Sequence, residues 1–229
     1  MFGRRPKIPA NPLISIIVLS HNKVNYTRRC FRGILRSAYR PIEMLAVDNG
    51  STDATPALYA TFAAEAREAG IVFRPTRHEA NLGAVTGRNL ALEQVSGDYI
   101  VFLDNDVVPR TRSWLEQLRA ALAADKGIGI VGPKLIYPLP PHLIQFAGGA
   151  VTPTGRVQFC GRGDPRDTPA FAAPRDVQCL ISACWMMPWT LYNQVGPLDE
   201  GFNPLQFEDI DYCYRARHAG YRVVFFPGV

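Results

Sequence analysis

Short apolar runs recur through the first half of the chain, with longer amphipathic stretches between them. Ile14 to Leu19, Met44 to Val47, Ile71 to Phe73, Tyr99 to Leu103 and Ile128 to Val131 are rich in β-branched and aromatic residues and predict strands. Thr27 to Ala38, Pro56 to Ala69, Ala84 to Val95 and Trp114 to Ala124 predict helices. This alternation predicts an α/β fold, with a largely parallel sheet joined by right-handed crossovers. Thr55 before Pro56 reads as an N-cap and first-turn pair, and Gly70 as the stop of that helix.

The stretch Thr27 to Arg40 separates into two faces. Cys30, Phe31, Ile34, Leu35 and Ala38 share one side, and Arg28, Arg29, Arg32, Arg36 and Arg40 the other. Such a basic face suits solvent, or a peripheral contact with anionic lipid headgroups. After Pro133 the pattern loosens. Pro138 to Pro141, Gly148-Gly149 and Gly161 to Pro174 predict long loops around a small antiparallel hairpin. Strand-like order returns at Val177 to Met187, and helical order at Pro188 to Val195 and Glu208 to Ala219. With no repeat and no low-complexity linker, the pattern predicts a single domain over residues 1–229.

The composition, 47% hydrophobic and 20% charged in 229 residues, is that of an ordinary globular domain. No apolar run approaches the roughly 20 residues of a membrane span. The basic, proline-rich start, Met1 to Pro12, lacks the apolar segment of a signal peptide. Five cysteines form no Cys-x-x-Cys pair, and the odd count points to a reducing cytoplasm. The four histidines lack His-Glu-x-x-His spacing, so a zinc hydrolase is not suggested. A net charge of +5 suits a polyanionic partner such as a nucleotide or an anionic membrane surface. No nucleic-acid-binding signature accompanies it.

Candidate chemistry collects where apolar runs end. Tyr99 to Leu103 runs into Asp104-Asn105-Asp106. Side chains alternate along an extended chain, so the two acids project to one side. At the carboxyl end of a parallel strand they suit a divalent cation that holds phosphates, although Asp-Asn-Asp is also good turn composition. The first strand ends in Ser20-His21-Asn22 and the second in Asp48-Asn49-Gly50-Ser51-Thr52-Asp53. On one sheet edge, Asp48 could accept from a base N–H or a ribose hydroxyl, and Ser20 could fix the other side of the base. Asn81-Leu82-Gly83 opens a helix carrying Arg88, whose charge and neighbouring free N–H groups could hold a diphosphate. Glu208-Asp209 opens another helix, where a carboxylate kept ionised by the helix dipole could act as a general base. Trp185 could stack on a sugar face.

Taken in order, these segments resemble family-2 glycosyltransferases of the GT-A fold. The likeness rests on Ile16 to Asn22, Val47 to Asp53, Asn81-Leu82-Gly83 with Arg88-Asn89, and Gly97 to Asp106. It continues through Gly196-Pro197-Leu198-Asp199-Glu200, Phe207 to Asp211 and Ala219 to Arg222. The resemblance implies a Rossmann-like, mostly parallel sheet with a small antiparallel element in the C-terminal half. It implies a nucleotide-binding half, 1–132, and an acceptor-binding half, 133–229. It also implies inverting sugar transfer from a nucleotide-diphosphate sugar, UDP or dTDP, with Mg²⁺ or Mn²⁺. The acceptor would be a hydroxyl of a glycan or lipid-linked molecule, in cell-surface polysaccharide synthesis at the inner face of the membrane. Asp48, with Ser20 and Asn22 nearby, would bind the base. Asp104 would meet ribose or metal, Asp106 would be the firmer metal ligand, and Asp209 the catalytic base, with Glu208 and Trp185 on the acceptor side.

Two departures stand out. The family usually shows a basic residue near the position of Pro188, and it is absent. Related sequences carry a metal-completing histidine shortly after the segment resembling Tyr221 to Val229, so the chain is expected to be part of a longer protein. Two other readings compete. A sugar nucleotidyltransferase would share the sheet, yet Ser20 to Lys23 is not a glycine-rich phosphate loop. A non-catalytic glycan-binding module would have less need of the retained carboxylates.

Overall fold

The computed structural model of the protein describes residues 11–229, so most of the basic N-terminal stretch lies outside the described residues. Strands and helices alternate through the first half. They are β1 (Ile14–Ser20), α1 (Val24–Leu35), β2 (Ile42–Asn49), α2 (Thr55–Glu68), β3 (Ile71–His78), α3 (Ala84–Leu92), β4 (Tyr99–Leu103), α4 (Trp114–Ala124) and β5 (Ile128–Pro133). Short strands follow: β6 (Leu135–Ile136), β7 (Ile144–Phe146), β8 (Gly149–Val151), β9 (Val157–Phe159) and β10 (Arg175–Val177). Next come β11 (Cys184–Pro188), α5 (Trp189–Val195), α6 (Glu208–His218) and β12 (Arg222–Phe226).

Eight strands form one sheet in the order β10-β12-β5-β11-β4-β1-β2-β3. β4, β1, β2 and β3 run parallel, as do β5 and β12, whereas β11 is antiparallel between β4 and β5, and β10 is antiparallel at the edge. The fold is therefore a mostly parallel sheet with helices against it. Two antiparallel pairs, β6-β7 and β8-β9, stand where one hairpin was expected. β1, β2, β4 and β5 are almost wholly buried, which explains their unbroken apolar runs. β3 continues five residues past the predicted Phe73. It is an edge strand whose Arg74 and Thr76 are half-buried and whose Pro75 and Arg77 are exposed, so it leaves no apolar signature, and Pro75 is tolerated there.

Helix ends differ from the sequence pattern for local reasons. α1 stops at Leu35 rather than Ala38. Pro41 biases Arg40 away from the helical region. The Arg40 guanidinium then donates to the carbonyls of Leu35, Ser37 and Ala69 at 3.4, 2.8 and 2.7 Å. Arg40 is thus a backbone clamp and leaves the basic face to Arg28, Arg29, Arg32 and Arg36. Thr55 is the first residue of α2 rather than its cap, and Asp53 takes both its N–H and its hydroxyl. Gly70, at φ 68°, ends that helix as expected.

Packing holds this sheet edge in place. Phe31, Tyr59, Phe62 and Phe73 interlock α1, α2 and β3, with ring centroids 4.6–6.0 Å apart. Gly33 lets α1 approach the segment after β4, since a Cβ there would lie 2.9 Å from Pro109 Cδ. That contact fixes the strand end carrying Asp104 and Asp106.

Candidate active site

The β1 and β2 ends meet in register, Ser20 opposite Asp48. Ser20 is fully buried, and its hydroxyl accepts from Tyr59 at 3.1 Å. It supports the edge from below and does not face a ligand, contrary to the expected base contact. Asn22, at φ 58°, uses its Oδ1 to accept from the N–H groups of Thr52 and Asp53 at 2.9 and 3.2 Å. It staples the two loops together. Asp48 is different. Its Oδ1 takes the Ser51 N–H at 2.9 Å, while its buried Oδ2 has no hydrogen-bond partner and lies 3.7 Å from Arg77. A buried carboxylate oxygen left open is costly unless a ligand group completes it.

At the end of β4 a cleft of about 880 Å³ opens, lined by Asp104, Asp106, Arg88, Ser182, Glu208 and Asp209 among others. Asp104 is half-buried, its N–H bonded to the Ala183 carbonyl at 2.9 Å. Burial raises its pKa, and the Arg88 charge opposes that rise. Asn105 donates to Thr27 Oγ1 at 2.9 Å, which turns the loop so that Asp106 is exposed.

Arg88 is buried and already engaged. Its Nη2 donates to Asp104 Oδ1 at 2.5 Å and its Nη1 to Glu208 Oε1 at 3.1 Å and Ser182 Oγ at 2.8 Å. Three of its five N–H donors are therefore engaged inside the protein. The start of α3 is not a free anion site. Ala84 N–H donates to the Pro204 carbonyl at 2.6 Å, and Thr86 N–H to Asn203 Oδ1 at 3.4 Å. Gly83 permits this docking, because a Cβ there would sit 2.1 Å from Asn203 Oδ1.

Asp209 lies across the cleft at the start of α6. Its Oδ2 takes the Ser182 N–H at 3.1 Å and its Oδ1 the Ile210 N–H at 2.8 Å. Burial and then the Glu208 charge raise its pKa; the two hydrogen bonds and Arg88 only moderate the effect. The expected lowering by the helix dipole is thus outweighed by desolvation. Glu208 is itself buried, with Oε2 unpartnered.

Trp185 is corrected outright: it is 0% exposed and cannot stack on a sugar. Its ring lies 5.8 Å from Phe102 and 6.1 Å from Tyr212, in the core behind the site. The exposed aromatic on the cleft is Phe207, 52% exposed and at φ 68°, beside Leu205 at 56%. Phe207, Ser182, Lys23 and Arg162 all line the cleft and escaped the sequence reading. Phe207 adjoins Glu208-Asp209 and could have been flagged; Arg162 sits in aperiodic, turn-rich sequence with no such signal.

Among the described residues no three His, Cys, Asp or Glu side chains converge to hold an ion unaided. Asp104 and Asp106 nonetheless fit a hard cation, since Mg²⁺-type sites take one or two carboxylates plus substrate phosphates and water. Arg88 pairs with Asp104 and Glu208, which leaves the carboxylates of Asp106 and Asp209 in the cleft without an ion pair among the described residues.

The sheet order and the acids at its strand ends define a GT-A glycosyltransferase fold. The chain belongs to glycosyl transferase family 2, whose profile matches residues 15–188. It is 30% identical over 225 residues to the uncharacterized protein y4gI of Sinorhizobium fredii, covering 94% of this chain and 24% of that protein. It is 29% identical over 229 residues to the O-antigen biosynthesis protein RfbC of Myxococcus xanthus, covering 96% of this chain and 17% of that one. The chain thus spans a quarter or less of the length of these two relatives. Among solved structures, the Pyrobaculum calidifontis mannosyltransferase PcManGT, in complex with GDP-Man and Mn²⁺, superposes with a TM-score of 0.70 at 18% identity. That match covers 96% of this chain and 56% of that one. S. aureus TarS 1-349 in complex with UDP-GlcNAc gives a TM-score of 0.68 at 18% identity, over 94% and 56% of the two chains. These structural likenesses concern the fold. Among the described residues no helix is long and apolar enough to cross a membrane.

Proposed function

We propose that this chain transfers a sugar, with inversion, from a nucleoside-diphosphate sugar to a hydroxyl of a glycan or lipid-linked acceptor. The setting would be the assembly of a cell-surface polysaccharide. The observation that carries the reading is one cleft holding Asp104 and Asp106 on one side and the half-buried, bond-held Asp209 on the other. Support comes from Asp48 on the same sheet edge, a carboxylate whose buried Oδ2 has no hydrogen-bond partner among the described residues and lies 3.7 Å from Arg77. Solved neighbours of the same fold carry GDP-Man with Mn²⁺ or UDP-GlcNAc.

Asp104, through the oxygen not bonded to Arg88, and Asp106 would hold Mg²⁺ or Mn²⁺. That ion, when bound, neutralises charge building on the leaving diphosphate. The acceptor oxygen forms its bond to the anomeric carbon as the bond from that carbon to the phosphate oxygen breaks. The acceptor's proton goes to Asp209, and the bond electrons leave with the diphosphate. Burial suits Asp209 to this task, because a raised pKa makes a stronger base near neutral pH. Phe207 and Leu205 offer the acceptor an apolar platform.

A thermal-shift panel of UDP, dTDP and GDP, with and without Mn²⁺, tests the reading. At 100-fold excess over its dissociation constant, the matching nucleotide adds about 2.7 kcal/mol of stability only when the ion is present. No shift with any nucleotide plus Mn²⁺ would sink it.

A further inference from the structure

Three segments of the fold meet at Arg88, which is 7% exposed. Its terminal nitrogens serve Asp104 at the end of β4, Glu208 at the start of α6, and Ser182 in the turn before β11. The same turn reaches both acids through its backbone. Ser182 N–H donates to Asp209 Oδ2 at 3.1 Å, and the Ala183 carbonyl receives Asp104 N–H at 2.9 Å. We propose that Arg88, with Ser182, is a positioning residue that sets the separation between the donor-side acid Asp104 and the base Asp209. It does not bind the diphosphate. This rests on the transferase reading of the cleft.

The chemistry of the side chain supports the assignment. A guanidinium presents its donors in a rigid planar fork, so bonds to two carboxylates and a hydroxyl fix angles as well as distances. A lysine ammonium is a point charge on a flexible stem and reproduces the charge without the geometry. Arg88 is also backed from behind. Its guanidinium lies 5.5 Å from the Phe102 ring, Phe102 packs on Trp185, and Trp185 on Tyr212 of α6. The column carries the position of α3 through β4 and β11 to the helix that bears Asp209. Three of its five N–H donors are thus committed inside the protein, and they hold the fork in one orientation.

Displacing a reacting group by about 1 Å can cost on the order of 10²-fold in rate. The test compares the 229-residue chain with Arg88→Lys and Ser182→Ala. Fold is checked by circular dichroism. Binding of UDP, dTDP and GDP with Mn²⁺ is measured by calorimetry, and turnover by release of nucleotide from donor sugars. Arg88→Lys is expected to keep nucleotide affinity within about 3-fold of the parent while turnover falls on the order of 10²-fold. Ser182→Ala, which keeps the backbone bond to Asp209, should lower turnover about 3- to 10-fold with affinity unchanged; it decides the matter if Arg88→Lys does not fold. Affinity falling in step with turnover would overturn the proposal and make Arg88 a diphosphate ligand. Turnover unchanged in folded variants would overturn it and leave Arg88 a fold contact. A parent chain that neither binds nor hydrolyses any donor overturns the transferase reading itself, and the proposal with it.

Discussion

Ser182 grips Asp209 through a backbone N–H 3.1 Å from Oδ2, so the turn before β11 holds the acid that opens α6. The Ile210 N–H takes the other oxygen, so Asn at this position keeps one of the two backbone bonds through its carbonyl oxygen. Asp209→Asn should leave Mn²⁺-dependent nucleotide binding intact and cut turnover on the order of 10²- to 10⁴-fold. Undiminished turnover in the variant would remove Asp209 from the mechanism.

The environment of Asp209 also sets a pH dependence. Burial first, and Glu208 second, raise its pKa above the ordinary aspartate value, against its two hydrogen bonds and Arg88. A base works only when ionised, so turnover should fall as pH drops through a midpoint above the usual aspartate range. Removing the like charge in Glu208→Gln should move that acid limb to lower pH. A limb that stays in place, in a pH–rate profile of donor hydrolysis, would contradict the assignment.

Asp48 Oδ2 has no hydrogen-bond partner among the described residues and faces the Arg77 charge at 3.7 Å, while Oδ1 holds Ser51. Asp48→Asn keeps the Ser51 bond and turns the open acceptor into a donor. Nucleotide affinity by calorimetry is expected to weaken about 10- to 150-fold, the range for loss of a hydrogen bond to a charged group. Unaltered affinity would place the base elsewhere.

Glu43 makes a stability prediction away from the cleft. It is 3% exposed, and burial alone would favour its neutral form. Bonds from the Ser15 hydroxyl, the Ser96 N–H and hydroxyl, and Arg74 outweigh burial and hold its pKa below the usual value. The folded pKa is lower than the unfolded one, so this stabilisation is present above the unfolded pKa and is lost as pH falls through the folded pKa. Glu43→Ala should cost about 1.5–3 kcal/mol in denaturant unfolding, the range for hydrogen bonds to a charged group, and flatten the acid side of the stability curve.

Phe207 replaces Trp185 as the aromatic that can meet an acceptor. Phe207→Ala should raise the acceptor KM about 2- to 12-fold, the worth of one aromatic contact, with donor hydrolysis unchanged. Phe207→Trp should retain the parent KM. Equal KM values for all three proteins would rule out the contact.

The basic face of α1 makes a separate prediction. Arg29, Arg32 and Arg36 are exposed, beside Arg110 and Arg112. If the acceptor is presented at an anionic surface, the protein should float with phosphatidylglycerol vesicles and not with neutral ones. Substituting Arg29, Arg32 and Arg36 together by Gln should weaken that binding by about 10²-fold, at ~1 kcal/mol per charge. Equal flotation of parent and variant would dismiss the face as a membrane contact.

Much of this architecture was legible because burial on both faces leaves a continuous apolar run. β1 and β4 and the span of α4 coincide with their predicted limits to within a residue. Edge and inserted strands were harder. β3 alternates into solvent past Phe73, and nothing local says that β11 lies antiparallel between β4 and β5. The site was half legible in the same sense. Asp104, Asp106 and Asp209 do share a cleft, whereas Ser20 and Asn22 are structural, Arg88 is internally paired and Trp185 is core.

Local sequence determined where strands end and which polar residues stand at those ends, because apolar runs and turn residues act over a few positions. Tertiary structure alone decided which of those residues remain open to a ligand. Whether Arg88 faces a phosphate or two carboxylates depends on Asp104, 16 residues away in the chain, and Glu208, 120 residues away, and whether Asp209 is acidified by its helix or made basic by burial depends on how α6 packs. Desolvation and charge pairing act through space, and only the packed sheet brings those groups within reach.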